Sequence, residues 1–189
     1  MNDNKVIIIS APSGTGKTTL IKHLMEVLPV FEFSISATSR QPRKGEINGK
    51  DYYFLSAEDF RCKIENNEFI EWEEVYPNRF YGTLKSEIER IHRMGKVAIF
   101  DVDVMGGVNL KQKFGEKALS IFIKPPSLEE LELRLRIRGT DSDEEIKTRL
   151  ERAAYELNFA SKFDTVIVNE TLDKSKPELV AAVKRFLGI

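Results

Sequence analysis

Cysteine, histidine and net charge are all scarce in this chain of 189 residues, and each shortage closes off a class of function. A single cysteine, Cys62, permits no intramolecular disulfide. The two histidines, His23 and His92, have no cysteine partners at metal-ligand spacing, which argues against a structural zinc site. The 29 basic and 30 acidic residues leave a net charge of −1. A chain that lives on DNA or on an anionic membrane carries a basic surplus, so neither nucleic acid nor membrane is an expected partner. Any grip on anions must come from local clusters. Long apolar runs are missing too. The N-terminal MNDNKVIIISAPSG is apolar for only a few residues, which excludes a signal peptide, and no stretch is long enough to span a bilayer. A cytoplasmic protein is the expectation, and the oligomeric state is not legible.

What is present suits one buried core under a solvated surface: 41% hydrophobic and 31% charged residues. Short β-branched runs at 6–9, 97–102, 119–123 and 166–168 read as buried strands. Further strands are expected at 33–36 and at 68–75, the latter carrying Trp72. Helical spacing marks 17–28, where Leu20, Ile21, Leu24, Val27 and Leu28 share a face, and also 57–66, 84–94 and 177–187. Ser127 caps another helix with Glu130 as its capping-box partner, and a further helix starts near Asp141 or Ser142 and runs to about Phe159. Strands alternating with helices predict a three-layer α/β fold with a mostly parallel central sheet. The core is assembled from residues 1–35, 84–125 and 160–189 as a single domain. Two insertions remain, a loop-and-strand lobe at 36–83 and a helical piece at 126–158. Both project from the carboxyl edge of the sheet, where ligands of such folds bind.

Between the first strand and the first helix stand Ala11-Pro12-Ser13-Gly14-Thr15-Gly16-Lys17-Thr18, a P-loop in which Ala11 replaces the first glycine. Glycines at 14 and 16 let the backbone curl so that successive N–H groups point at phosphate oxygens, and the helix adds its positive end. Lys17 reaches the β- and γ-phosphates, while the Thr18 hydroxyl is placed to ligate Mg²⁺. With Thr19 these residues form the expected ATP-binding set. The loop is silent on the acceptor.

The acceptor has to be inferred from 36–83. Ser36, Thr38, Arg40, Arg43, Tyr52, Glu71, Tyr81 and Thr83 lie in a stretch with little hydrophobic periodicity. Arg40 and Arg43 flank Pro42, and a guanidinium pair suits a bidentate grip on phosphate, with Tyr52 and Tyr81 as neutral donors. Taken alone, two loop arginines are better explained as solvated surface. Glu71 stands in an acidic run where strand alternation puts it on one face with Glu73, and the pattern does not choose between them.

The segments APSGTGKTT, SRQPRKGEINGKDYYF, NNEFIEWEEV, YGT, FDVDVMGG, IFIKPPS, LRIRGTDS and VIVNE resemble the blocks of guanylate kinases, in the same order and over essentially the whole chain. The resemblance implies transfer of the γ-phosphoryl group of ATP to GMP or dGMP with Mg²⁺, with 36–83 as the GMP-binding lobe and 126–158 as a lid. It implies that Arg40, Arg43, Tyr52 and Tyr81 bind the GMP phosphate, with Glu46 supporting the arginines. Ser36, Glu71 and Thr83 then face the guanine, Asp103 lies beside the nucleotide, and Asn169 lies near the adenine. Many relatives carry serine at the position of Thr83, and both residues offer a hydroxyl. Guanine presents N1–H and N2–H₂ donors that one carboxylate can accept together, whereas adenine presents a lone pair at N1. A site built to hydrogen-bond specific substrate groups rejects a base that lacks them. Two other readings stand beside this one: another nucleoside monophosphate kinase, against which Glu71 and the block around 40–53 speak, and a guanylate-kinase-like module that holds phosphorylated protein segments, against which the intact Gly16, Lys17 and Thr18 speak.

Arg134 and Arg138 are spaced i, i+4 on the helix after Ser127, and Arg149 sits on the next helix. The resemblance implies that they close over the triphosphate and act in catalysis with Lys17 and Arg40. The competing reading is a solvated face paired with Glu130, Glu132 or Glu145, and Arg136 points elsewhere. Asp101 ends a buried strand, the usual place for an acid that holds Mg²⁺ through water, and Asp103 shares its side if the strand continues. Cys62 is expected to be inert on a surface helix.

Overall fold

The computed structural model describes residues 5–139 and 141–189; residues 1–4 of the expected core and Thr140 of the expected lid lie outside them. In chain order the elements are β1 (Val6–Ser10), α1 (Lys17–Val27), β2 (Phe31–Phe33), β3 (Ala37–Thr38), β4 (Tyr53–Phe54), α2 (Ala57–Glu65), β5 (Phe69–Tyr76), β6 (Arg79–Leu84), α3 (Lys85–Arg93), β7 (Val97–Asp101), α4 (Val104–Phe114), β8 (Ala118–Lys124), α5 (Leu128–Arg138), α6 (Asp143–Leu157), β9 (Thr165–Val168) and α7 (Leu172–Leu187).

The central sheet runs β2-β7-β1-β8-β9 with every pairing parallel. Its central strand explains why. Val6, Ile7, Ile8 and Ile9 are all fully buried, so both faces need cover. Ile7 and Ile9 pack with Leu20 and Leu24 of α1 and with Leu179 and Val183 of α7. Val6 and Ile8 pack on the other side with Ile88 and Ile91 of α3 and Leu110 of α4. Strand order reverses at β1, so the loop that leaves it opens into a crevice at the carboxyl edge.

Two units rise from that edge. After β2 the chain builds a second sheet, β4-β3-β6-β5, closed beneath α2 by Phe60, whose ring stacks on Phe69 and Phe80 at centroid distances of 4.3 and 5.2 Å. After β8 it builds the hairpin of α5 and α6 around Leu131, Leu135, Ile146 and Ala153. The hairpin carries its own start signals: the Ser142 hydroxyl accepts from the Glu145 N–H and the Glu145 carboxylate accepts from the Ser142 N–H, a complete capping box.

Several local expectations need correction. The second strand is Phe31–Phe33 rather than 33–36: the Ser34 N–H still donates to the Ile99 carbonyl at 2.9 Å, and the chain then turns into the second sheet. Within the expected loop-and-strand lobe the stretch 37–54 contains β3 and β4, and the sequence signals no element at β6 or α4. Asp103 does not continue β7 beside Asp101; it caps α4, accepting from the Gly106 N–H at 2.8 Å. Ser127 accepts from the Glu130 N–H at 3.2 Å without the reciprocal bond of a capping box. Val27 is 45% exposed instead of sharing the buried face of α1. Helix α7 starts at Leu172 rather than at Pro177, which lies in its second turn and withholds one ladder N–H there.

Candidate active site

The loop after β1 takes its shape from two left-handed glycines, Gly14 at φ +93° and Gly16 at φ +90°. Both are also crowded: a Cβ at Gly14 would lie 2.8 Å from Leu135 Cδ2, and one at Gly16 would lie 2.8 Å from Asn169 Nδ2. Ala11 is not among the residues of positive φ, so its methyl group is tolerated there. From within, Thr15 Oγ1 donates to the Pro12 carbonyl at 2.9 Å and Asn169 Nδ2 donates to the Thr15 carbonyl at 2.7 Å. The first turn of α1 contains no acid to offset its positive end, and it exposes the Thr18 and Thr19 side chains. The Lys17 ammonium is paired with the Asp101 carboxylate at the end of β7.

A cavity of about 210 Å³ adjoins this loop, lined by Gly14, Gly16, Arg134, Asn169, Thr171 and Leu172 among others. The Asn169 Oδ1 beside it is buried and has no hydrogen-bond partner among the described residues. Arg134 is held at its side, Nε donating to Glu130 at 3.0 Å and its two Nη groups to the carbonyls of Asn169 and Glu170, both at 2.9 Å. Arg149 reaches the loop itself: Nη1 donates to Ser13 Oγ at 2.6 Å and Nη2 to Asp141 at 2.8 Å. Arg138 is exposed at the end of α5, outside this cavity and the next. Arg136 pairs with Glu132 and Asp143 on the surface.

The second cavity, about 410 Å³, is bounded by β5, β6, the end of β7, the start of α4 and α6. Ser36, Arg43, Tyr52, Glu71, Tyr81 and Asp103 line it. Asp101 lines it as well while holding Lys17, so this cavity and the phosphate loop share a wall. Three of the expected residues stand behind the lining. Arg40 forms a bidentate pair with Glu46 at 2.6 and 2.7 Å, and its guanidinium lies 4.9 Å from the centre of the Tyr52 ring. The Arg43 N–H donates to the same carboxylate at 2.7 Å. Arg40, and after it that N–H, hold the Glu46 carboxyl down at about 2. Thr83 is fully buried, and its hydroxyl donates to Glu71 Oε1 at 2.8 Å.

Burial pushes the Glu71 carboxyl up to about 7; the Thr83 hydroxyl opposes that rise, while Asp103 and Glu73 add repulsion. Glu71 and Glu73 both line the cavity, as alternation requires, but it is Glu71 that the Thr83 hydroxyl orients. Gly82 permits this geometry, since a Cβ there would sit 2.7 Å from the Glu71 carbonyl oxygen. Glu73, which the alternation left open beside Glu71, lines the cavity too, and Tyr76, Arg79 and Arg152 join the lining with no prior expectation in the sequence. The signal for Arg152 was its place three residues after Arg149 on one helix. Among the described residues no group of three or more His, Cys, Asp or Glu side chains could hold a metal by itself.

A family model described as guanylate kinase matches residues 3–186. The chain is 54% identical over 184 residues to the guanylate kinase of Bacteroides thetaiotaomicron, covering 97% of this chain and 90% of that one. It is 53% identical over 185 residues to that of Porphyromonas gingivalis, covering 97% and 98%. A crystal structure of guanylate kinase from Anaplasma phagocytophilum aligns with a TM-score of 0.74 at 30% identity, over 99% of this chain and 88% of the other.

Proposed function

The chain belongs to the guanylate kinase family, and from that premise we propose how its two cavities divide the work of moving the γ-phosphoryl group of ATP to GMP, with ADP and GDP as products. Residues 11–19 wrap the triphosphate with backbone N–H groups, and Lys17 exchanges Asp101 for the β- and γ-phosphates. The unpartnered Asn169 Oδ1 accepts from the adenine amino group in the 210 Å³ cavity, with Arg134 alongside. Arg40, Arg43, Tyr52 and Tyr81 hold the acceptor phosphate, with Glu46 fixing both arginines. Ser36, Glu71 and Thr83 face the guanine, with Asp103 next to it.

No strong general base is required, because the attacking group is already an ionised phosphate; catalysis is positioning plus charge stabilisation. Mg²⁺ fits the exposed Thr18 hydroxyl, with Asp101 acting through water, and when bound supplies charge neutralisation at the phosphates. Residues 36–83 act as the acceptor lobe and 126–158 as the lid, which brings Arg138 and Arg149 over the phosphates and excludes water. The cytoplasm, where both nucleotides are available, is the setting.

The observation that carries this assignment is the half-buried Glu71 carboxyl, oriented by Thr83 in a cavity that Asp101 also lines while holding Lys17. The test is ADP release with ATP and Mg²⁺ against GMP, AMP, CMP, UMP and dTMP in separate reactions. Turnover is expected with GMP and is lost on chelation; no GMP-dependent release would overturn the assignment.

A further inference from the structure

We propose that Arg152 is an additional acceptor-positioning residue, through which the α5–α6 hairpin is drawn onto the acidic end of the acceptor cavity when GMP is seated there. The inference rests on the reading of the 410 Å³ cavity as the GMP site. Arg152 is carried by α6 only three residues after Arg149, yet it lines the acceptor cavity, whereas Arg149 contacts Ser13 of the phosphate loop. One helix therefore serves both substrates.

The geometry leaves the bridge half made. Nε is anchored by Glu156 at 2.8 Å, a carboxylate with only 9% of its side chain exposed, so the guanidinium fork is held in orientation. Nη2 stands 4.0 Å from Asp103 Oδ2, beyond hydrogen-bond distance, while the other Asp103 oxygen is committed to the Gly106 N–H. A small inward movement of α6 converts that pairing into a charge-assisted hydrogen bond.

The surroundings supply the driving force. Glu71 and Glu73 from β5 and Asp103 from the start of α4 gather three carboxylates at this end, and Asp101 lies at the end of β7. Tyr76 and Arg79 face them from β5 and β6, with the Arg79 guanidinium drawn over the Tyr76 ring, its carbon 5.5 Å from the ring centre. A base that fills the cavity expels water and strengthens the repulsion among the carboxylates. Arg152 is the cation that the hairpin adds to the lining, and the gain in offsetting this repulsion is greatest when the cavity is occupied. Seating the acceptor and moving the hairpin thus become coupled events, without the triphosphate being present.

The experiment compares wild type, Arg152→Gln and Arg152→Lys. Glutamine keeps a donor for the buried Glu156 but loses the cation, and lysine restores the cation without the fork. Arg152→Gln should raise the KM for GMP about fivefold, as expected for one partly exposed ion pair, and leave the KM for ATP unchanged. Arg152→Lys should recover most of that loss. Hydrogen exchange supplies the second readout: GMP alone should slow exchange in α6 of wild type and not of Arg152→Gln. An unchanged KM for GMP, a parallel rise for ATP, or equal protection of α6 in both proteins would overturn the inference. If wild type itself does not turn over GMP, the reading of the cavity fails instead.

Discussion

Withdrawing the half-buried Glu71 carboxyl from water costs solvation, and the Thr83 hydroxyl returns only part of it. The group therefore favours its protonated form up to about pH 7 in the folded protein, against 4.5 as its ordinary value. The sign of the stability effect follows. Below about pH 4.5 the folded and unfolded chains are both protonated at this position and no penalty exists; stability is lost as pH rises toward and through 7. Glu71→Gln should accordingly stabilise the free protein at pH 8, by on the order of 2 kcal/mol, and leave it nearly unchanged at pH 4.5. Thermal melts at the two pH values check this, and an equal loss of Tm at both would contradict it. On the proposed reading the same carboxyl accepts from guanine, so folding and recognition would make opposite demands on one residue.

Among the elements, the β5–β6 pair shows how closely the site depends on backbone approach. Gly82 lies opposite Trp72 in the ladder, and a Cβ there would meet the Glu71 carbonyl oxygen and the Trp72 Cβ at 2.7 and 2.9 Å. Gly82→Ala must push the two strands apart, at a cost of about 1–3 kcal/mol, and displaces Glu71 from Thr83. We expect a rise of about tenfold in the KM for GMP with the KM for ATP intact, a split that steady-state kinetics reads directly. How much of this was legible differs by element. The phosphate loop and α1 could be read because their chemistry is local: glycines, a lysine and a threonine in eight consecutive residues. Helix α4 could not, because Gly106 and Gly107 look like helix breakers. Gly107 is tolerated for a tertiary reason: a Cβ there would lie 2.6 Å from Ser10 Oγ. The Ser127 box was misassigned because the same Ser-x-x-Glu spacing occurs at Ser142, and only the folded backbone distinguishes them. The spacing from Arg149 places Arg152 on the same helix, but its aim into the 410 Å³ cavity depends on how α6 packs.

For the whole molecule, the parallel sheet sets the plan. β2 and β8 end at the same edge, so the second sheet and the hairpin rise on either side of the loop after β1. The α/β class and the two insertions were legible from strand spacing and from breaks in periodicity. The resemblance points to several residues that line the 410 Å³ cavity proposed for the acceptor, whose lining runs from Ser36 to Arg152 and meets only after folding. Asp101 joins the two halves by facing the acceptor cavity while pairing with Lys17. The central claim is that this cavity reads guanine through Glu71. Its most direct test is kcat/KM for GMP and for AMP, measured in wild type and in Glu71→Gln at saturating ATP. Wild type should prefer GMP by about 10⁴-fold or more, and Glu71→Gln should lose most of that preference while the KM for ATP stays in place. A fall by the same factor for GMP and AMP, or a KM for ATP that rises with that for GMP, would contradict it.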